Sequence, residues 1–437
     1  MATTNTTKSV TLAANTIRIR MYRIGFGDCF LLSLPVPDCA GADSHRHILF
    51  DCGVHARGDL DMIEQAVDDI ARTSSKKLAI VVATHSHQDH ISGFSDKFTS
   101  FEISEVWLPW CENPKDKQAL KLQKKHAALA AQLQTHFRAQ LKAAPRPGKL
   151  RTAAVAAIDN LVGDLEKKKT ALVTNATAMS LLRGGFGVNA RVRYLEAGGS
   201  LANPGGIDGL SVNILGPPRD EKFLAKMDPP AGQSYLTTKN SERLNAVEPF
   251  AERWRMAAND PALRKLRFSD DEADKFQKEL ASASLDGLAF ALDQAKNNTS
   301  LVTLLAFRGQ YLLFPGDAQY GNWKFWLDQD DAAAILSNVT FFKVAHHGSH
   351  NATPKDALEK MSKGKFAAML STQNVPWDSI PRLPLLDRLN EQTKNRVLRS
   401  DSLAIKDRPD APKGPSVTNM PTGFQKGDFW YDYLIKL

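Results

Sequence analysis

The chain has 437 residues, of which 43% are hydrophobic and 24% are charged, as in an ordinary globular protein. This composition excludes collagen-like and wholly disordered chains, and the length predicts about two to three domains. Lys and Arg (56) outnumber Asp and Glu (48), for a formal net charge of +8. The sequence shows no signal-peptide pattern, no apolar run of membrane length and too few cysteines for a disulfide framework. We therefore expect a cytoplasmic protein that does not engage a membrane.

The first part of the chain has the pattern of strands and tight turns. Residues 17–34 alternate in polarity on one side of a Gly-rich turn and return as an apolar run, which predicts a β-hairpin. A short strand is predicted at 47–50, and residues 60–70 have the spacing of an amphipathic helix. The continuous apolar run at 78–83 predicts a strand buried on both faces, and another strand is predicted at 105–110.

The middle of the chain carries two predicted helical insertions. Residues 113–185 are rich in Ala, Leu, Lys and Gln, and a Pro-Arg-Pro-Gly turn at 145–148 predicts two long helices joined there. This basic insertion holds 14 Lys and Arg against 4 Asp and Glu, so its net charge is +10 and the rest of the chain carries −2. Strand patterns return within 186–218, and residues 219–296 predict a second helical insertion of mixed charge.

Strand patterns dominate again towards the C-terminus. Residues 301–314 predict a second hairpin, and residues 339–345 predict a strand that leads into two histidines. We assign 17–112 and 297–437 to the two halves of one discontinuous core, to which 186–218 contributes further strands. Two strand-rich halves with helices between them predict a layered αββα architecture.

A histidine-rich loop follows the buried strand at 78–83. His85, His87, Asp89 and His90 lie there with the spacing HxHxDH. Imidazole nitrogen and carboxylate oxygen are ligands that Zn²⁺ accepts. Four such groups within six residues favour a metal site over an ordinary polar loop.

Further candidate ligands follow strands in the C-terminal half. Asp317 comes after the predicted hairpin, and His346 and His347 come after the strand at 339–345. Adjacent side chains point apart, so we expect one of the two histidines to bind metal and the other to support it or to contact substrate. The sequence does not decide which histidine is the ligand.

Together these residues resemble the metallo-β-lactamase-fold hydrolases, and more closely the hydrolase-like domain of the ComEC (DNA-uptake channel) type. The segments that carry the resemblance are GFGDCFLLSL, ILFDCG, THSHQDHISGF, NNTSLVTLLAFRGQYLLFPGDA and FFKVAHHGSHNATP. It covers about residues 17–110, 210–218 and 297–437 and leaves out both insertions. The resemblance implies an α/β fold, an αββα metallo-β-lactamase-like sandwich with two helical insertions.

The resemblance also implies a role for each candidate residue. The implied ligands are His85 and His87 for a first ion, Asp89 and His90 for a second, Asp317 as a bridge, and His346 or His347 to complete the second site. Asp51 would orient the histidine-rich loop without binding metal, and Asp28 would lie near the site. The implied cofactor is zinc, as one or two ions, with manganese as the alternative.

One feature departs from the family pattern. The superfamily often supplies a further histidine to the first metal from a strand between HxHxDH and the late aspartate. Here no histidine occurs between His136 and His346. The first site would then be weaker, completed by water or substrate, or empty.

The main hypothesis is a metal-dependent phosphodiesterase or nuclease. A metal-bound water with a lowered pKa would supply the hydroxide nucleophile, with Asp89 in the catalytic centre. His350, Ser349 or the unused member of His346 and His347 would protonate the leaving oxygen or hold the phosphate. The basic insertion 113–185 could follow a nucleic-acid backbone, although its lysines equally suit a solvated helical pair.

Two alternatives remain open at this point. In the first, the substrate is a small phosphodiester, a cyclic nucleotide or another ester, and the insertions cover a closed pocket. In the second, the chain is a degenerate, non-enzymatic binding or assembly protein whose helical insertions dock a protein partner.

Overall fold

A computed structural model gives the fold of the chain. It describes residues 12–13, 15–37, 44–55, 60–143, 149–162, 173–230, 232–235, 289, 291–373, 380–401 and 420–437. These residues form a mixed α/β structure with two mixed β-sheets. Much of the predicted second helical insertion, residues 236–288, lies outside the described residues. Across the parts of the chain that are described, no helix has both the length and the apolar character needed to cross a membrane.

One sheet has eight strands, in the order β14-β15-β1-β2-β3-β4-β5-β6. Its strands are β1 (Thr16–Tyr22), β2 (Cys29–Pro35), β3 (His45–Cys52), β4 (Lys77–Val82), β5 (Glu102–Pro109), β6 (Arg191–Leu195), β14 (Phe424–Lys426) and β15 (Trp430–Lys436). Strands β1 to β3 pair antiparallel, which confirms the predicted hairpin, and β3 to β6 pair parallel. Pairing of β1 with β15 brings the two ends of the chain into one sheet.

The other sheet has seven strands, in the order β13-β12-β11-β10-β9-β8-β7. Its strands are β7 (Ser200–Ala202), β8 (Leu210–Gly216), β9 (Val302–Phe307), β10 (Gln310–Phe314), β11 (Phe341–Lys343), β12 (Ala367–Leu370) and β13 (Val397–Arg399). The antiparallel pair β9–β10 is the predicted second hairpin. Strand β8 pairs with β9 across the second insertion, so that the insertion leaves the sheet continuous.

Apolar side chains from both sheets form a shared core. Phe50 of β3 stacks on Phe314 of β10 with ring centroids 4.0 Å apart. A second core packs helices Leu60–Thr73 and Asn175–Arg183 against the eight-stranded sheet, and a third packs further helices against the seven-stranded sheet. The helices of the third core are Tyr320–Leu327, Ala332–Asn338, Lys355–Lys360 and Leu383–Thr393. Each sheet thus buries one face against the other sheet and one against helices.

The basic insertion contains the two predicted helices, Lys117–Ala143 and Lys149–Val162. Leu133 of the first helix and Ile158 of the second share a small apolar core with Leu292. Leu292 belongs to a helix at 291–297, which precedes β9. The two helices of the first insertion and the end of the second insertion therefore pack together, and this contact places polar residues of each beside the histidine-rich loop.

Candidate metal centre

The histidine-rich loop is held at the ends of two parallel strands. The Asp51 carboxylate at the end of β3 accepts hydrogen bonds from the Thr84 backbone N–H (2.7 Å) and the Thr84 hydroxyl (2.8 Å). Its Oδ2 also lies 2.8 Å from Nδ1 of His90. The Asp51 carboxylate therefore links the start of the loop to the ring of His90.

Close packing of the backbone at Gly53 against the backbone of this loop also fixes the position of the loop. A Cβ atom at Gly53 would lie 2.4 Å from the Ile91 nitrogen and 2.5 Å from backbone atoms of His90. Real Cβ contacts of that length do not occur, so only glycine allows β3 and the loop to pack at this distance. The sequence segment ILFDCG thus serves the geometry of the loop as well as the strand.

Four buried side chains, two of which belong to this loop, lie close together, and we call them the ligand cluster. They are Asp89, His90, Asp317 and His347, and one ligand atom from each lies within 4.8 Å of all the others. The His90 Nε2 is 3.1 Å from Asp317 Oδ2, and the His347 Nε2 is 3.2 Å from Asp89 Oδ2. Ligands of one tetrahedral zinc ion lie about 3.3 Å apart, so these spacings fit a common ion.

The charges of the ligand cluster also call for a cation. Burial alone would raise the pKa of Asp89 and of Asp317, but the nearby His90 and His347 lower both overall. Burial would lower the pKa of the two histidines, yet the carboxylates raise that of His347 to about 10 and that of His90 well above its ordinary value. Two buried carboxylates thus draw in about two positive charges, which either two protons or one divalent ion supplies.

His85 and His87 form a separate pair next to the ligand cluster. The His85 Nε2 and His87 Nδ1 are 3.0 Å apart, and the His85 ring lies 4.1 Å from the His90 ring. Burial holds the pKa of both imidazoles well below its ordinary value, that of His87 at about 3, so both are neutral, as metal ligands must be. Among the described residues, neither belongs to a group of three or more candidate ligands. A first ion at this pair therefore stays a prediction.

Asp293 is a residue of this site that the sequence did not single out. It lies on the helix 291–297, its side chain is 14% exposed, and its Oδ1 is 3.4 Å from Nε2 of His87. Burial and the nearby carboxylates of Asp89 and Asp317 raise its pKa well above the ordinary value. A metal-binding histidine usually directs its second nitrogen to a carboxylate, which is the position that Asp293 occupies.

Replacing Asp293 by Asn is expected to weaken zinc binding at the His85–His87 pair about tenfold, because an amide, unlike Asp293, cannot ionise beside Nε2 of His87 when a cation binds. Titration of the metal-free protein with zinc against a chelating dye measures this as a weaker second binding step. Asp330→Asn, an exposed position, is the control and should bind as wild type. Two unchanged binding steps in Asp293→Asn would show that this carboxylate does not position His87.

Lys343 is a second residue that sequence reasoning missed. Its buried ammonium group pairs with the Asp28 carboxylate, lies 3.3 Å from Asp317 Oδ1 and donates to the Gly316 carbonyl at 3.0 Å. Asp28 also lies 3.7 Å from His90 Nδ1, and with Asp51 it forms a second acidic group around that ring. Lys343 lies between the carboxylates of Asp28 and Asp317. Asp28 is therefore linked to the ligand cluster through the ammonium group of Lys343. A lone lysine in the apolar stretch FFKVA was the available signal, since a buried lysine needs a charged partner.

The structure distinguishes between the two adjacent histidines. His347 directs Nε2 into the ligand cluster, while its Nδ1 lies 2.9 Å from the Ser371 carbonyl oxygen. His346 turns away, and its Nε2 lies 3.2 Å from the side-chain nitrogen of Asn297. Both residues have positive φ angles (46° and 51°), which reverse the chain here and separate the two rings. His347 is thus the candidate ligand, and His346 faces a cavity.

A cavity of about 250 Å³ opens beside the ligand cluster, and we call it the site cavity. It is lined by Phe26, Asp89, Ala157, Asn160, Asp293, Gln294, Asn297, Asp317, His346, Ser349, His350, Asn351, Ile380 and Arg382. Two predicted catalytic or substrate-contacting residues, His350 and Ser349, are among these. The His350 side chain is 25% exposed and lies 3.2 Å from Asp228, so it faces the cavity without joining the ligand cluster.

Comparison with known proteins does not assign this chain to a family. No protein-family model matches the chain, and no curated protein sequence matches it. What the site can do follows from its donor set, since buried histidine and aspartate groups arranged in this way could hold a metal ion.

Proposed function

We propose that this chain is a metal-dependent hydrolase of the metallo-β-lactamase-like αββα fold, related to the ComEC type, and that it cleaves phosphodiesters. The observation that carries the proposal is the ligand cluster, which faces a cavity large enough for a substrate group. The layers of two sheets with helices on both outer faces support the fold assignment.

Unsatisfied atoms in the ligand cluster support a resident metal. Asp89 Oδ1 and His90 Nε2 are buried and make no hydrogen bond with the part of the chain that the structure describes, although His90 Nε2 lies only 3.1 Å from an Asp317 oxygen. Both residues belong to the ligand cluster, whose ligand atoms lie within 4.8 Å of one another, so that one point between them is within reach of all four side chains. An unsatisfied buried polar atom costs free energy, and an ion at that point would satisfy several at once. The residues therefore fit zinc, or manganese as the alternative.

The residues of the chain itself orient this chemistry. A zinc ion in the cluster would supply an activated water and neutralise phosphate oxygens. Asp51 accepts from Nδ1 of His90 and the Ser371 carbonyl accepts from Nδ1 of His347, so that both Nε2 atoms face the cluster. His350 lines the site cavity, where it could donate a proton to the leaving oxygen.

Metal analysis combined with a substrate panel tests this function. The panel contains single-stranded and double-stranded DNA, RNA, a small chromogenic phosphodiester, a cyclic nucleotide and a neutral ester, each with Zn²⁺ and with Mn²⁺. We expect at least one bound ion per chain and metal-dependent cleavage of phosphodiesters. Absence of phosphodiester cleavage with either metal would contradict the proposal.

The cavity size favours a second candidate, a hydrolase of small phosphodiesters. Pockets that enclose drug-sized ligands measure about 300–1,000 Å³, and the site cavity, about 250 Å³, is smaller. Such a cavity holds one phosphate group with a short substituent, which a small diester provides as well as a polymer. Faster turnover of the small diester than of any oligonucleotide would favour this second candidate.

A further inference from the structure

We infer that Arg382 and Asn160 form an anion-binding arm of the site cavity that holds a phosphate oxygen of the substrate. This inference rests on the proposed function for the reaction that follows binding, but binding of phosphate itself can be measured apart from any reaction. The anion-binding arm would select phosphate esters over the neutral esters and lactones that the same metal chemistry could hydrolyse.

Arg382 is fixed near the ligand cluster by its backbone. It directly precedes the helix Leu383–Thr393, and its N–H donates to the carbonyl of Gly348 at 3.0 Å. Gly348 follows His347, the candidate ligand, in the chain. The same short contact thus places the arginine beside the loop that carries His347.

The side chain of Arg382 lacks the partners that a half-buried guanidinium normally has. Its Nε is buried without a hydrogen bond, and its side chain makes no ion pair or hydrogen bond with the described residues. Burial is the cause that lowers its pKa, with no carboxylate acting against it. A buried donor without a partner is costly, and a bound anion would supply the missing acceptor.

Asn160 brings a second donor from the basic insertion. Its side chain is buried, and its Oδ1 accepts the backbone N–H of Asp89 at 3.2 Å. This hydrogen bond fixes the orientation of the amide, so the Nδ2 group is the end of the side chain that is left to donate to a ligand. The Nδ2 has no hydrogen-bond partner among the described residues, and Asn160 lines the site cavity.

The remaining charges of the site cavity make Arg382 distinctive. The acidic lining side chains are Asp89, Asp293 and Asp317, none of which attracts an anion. Within the described lining, Arg382 is the permanent cation. A guanidinium binds two phosphate oxygens at once through parallel hydrogen bonds, so an anion can lie between this arginine and a cation-loaded ligand cluster.

The test uses the full chain, loaded with zinc, as wild type, as a control variant and as three site variants: Arg382→Ala, Arg382→Lys and Asn160→Asp. Asn160→Asp keeps the oxygen that accepts from Asp89 but replaces the amide donor by a negative charge. Arg388→Ala, on the same helix but paired with Glu359 and Glu391, is the matched control. Each form is assayed for bound zinc, for inorganic phosphate affinity by calorimetry, and for KM and kcat with a small chromogenic phosphodiester and with a neutral ester.

We expect Arg382→Ala to bind zinc as wild type, to bind inorganic phosphate about tenfold more weakly and to raise KM for the diester by a similar factor. Arg382→Lys should recover part of the affinity, Asn160→Asp should also weaken it, and Arg388→Ala should change nothing. Phosphate binding by Arg382→Ala equal to wild type, or loss of zinc from that variant, would overturn the arm. Failure of the hydrolase proposal is distinguishable: the wild type would then bind phosphate through Arg382 and cleave no diester.

Discussion

Replacement of Asp89 by Ala is expected to abolish metal binding in the ligand cluster and, with it, hydrolysis. The Asp89 carboxylate lies 3.2 Å from His347 Nε2, and its Oδ1 is buried without a hydrogen bond. Without this carboxylate, three of the four candidate ligands remain, and the cluster keeps only one of its two carboxylates. We expect the activity to fall by about 1,000-fold or more.

The fold should survive this change, because the backbone of Asp89 carries separate contacts. Its N–H donates to Asn160 and its carbonyl accepts from the Asp28 N–H at 2.9 Å, and neither bond uses the carboxylate. The measurements are zinc per chain by atomic spectroscopy, diester turnover and circular dichroism. Asp330→Ala, at an exposed position, should match wild type in all three. A folded Asp89→Ala protein that kept both zinc and turnover would refute the assigned metal centre.

Local patterns predicted the parts of this structure that depend on neighbours in sequence. The apolar run at 78–83 coincides with β4, and both hairpins follow from strand-like patterns on either side of Gly-containing turns. Clustering of ligand-type residues at strand ends located the histidine-rich loop, because the ends of parallel strands meet at one edge of a sheet. Such signals span fewer than about 20 residues, so they can be read without knowledge of the tertiary contacts.

Residues that reach the site from far along the chain could not be predicted in this way. Asn160 and Asp293 come from the two insertions, whose composition indicates helices but not which helical face meets the loop. Arg382 reaches the cavity through a contact with Gly348, 34 positions earlier in the chain. The choice between His346 and His347 was hidden for another reason, since it depends on two positive φ angles that no residue type there demands.

Four exposed lysines lie together on the basic insertion, and a role of this positive charge in binding nucleic acid can be tested. Lys117, Lys121, Lys124 and Lys125 lie on the helix Lys117–Ala143 and are all exposed. Their spacing places them within about one third of the helix circumference, as one continuous basic stripe. The partner helix Lys149–Val162 packs against this helix and lines the site cavity through Ala157 and Asn160. We predict that a polymer long enough to extend from the cavity over this helix pair also contacts the stripe.

Replacement of the four stripe lysines by Gln is expected to weaken binding of single-stranded DNA about 100-fold at low salt. Each lysine that neutralises a phosphate releases a counterion, so the slope of log affinity against log salt should shrink by about 3. Zinc content and turnover of a small diester should stay unchanged, because neither depends on the helix surface. Salt titrations of a fluorescent oligonucleotide with the Asp89→Ala protein, which cannot cleave it, measure the effect.

A matched control removes the same charge elsewhere. Gln at Lys76, Lys360, Lys363 and Lys426, four exposed positions outside the insertion, should leave the salt slope nearly as in wild type. Equal losses in both quadruple variants would mean that DNA senses only the net charge, and the stripe would have no specific role. No loss in either variant, together with fast turnover of a small diester, would instead assign the site cavity to small substrates and the lysines to solvation of the helix. The comparison therefore separates the two substrate classes that the metal centre alone leaves equivalent, because only a polymer can contact the cluster and the stripe at the same time.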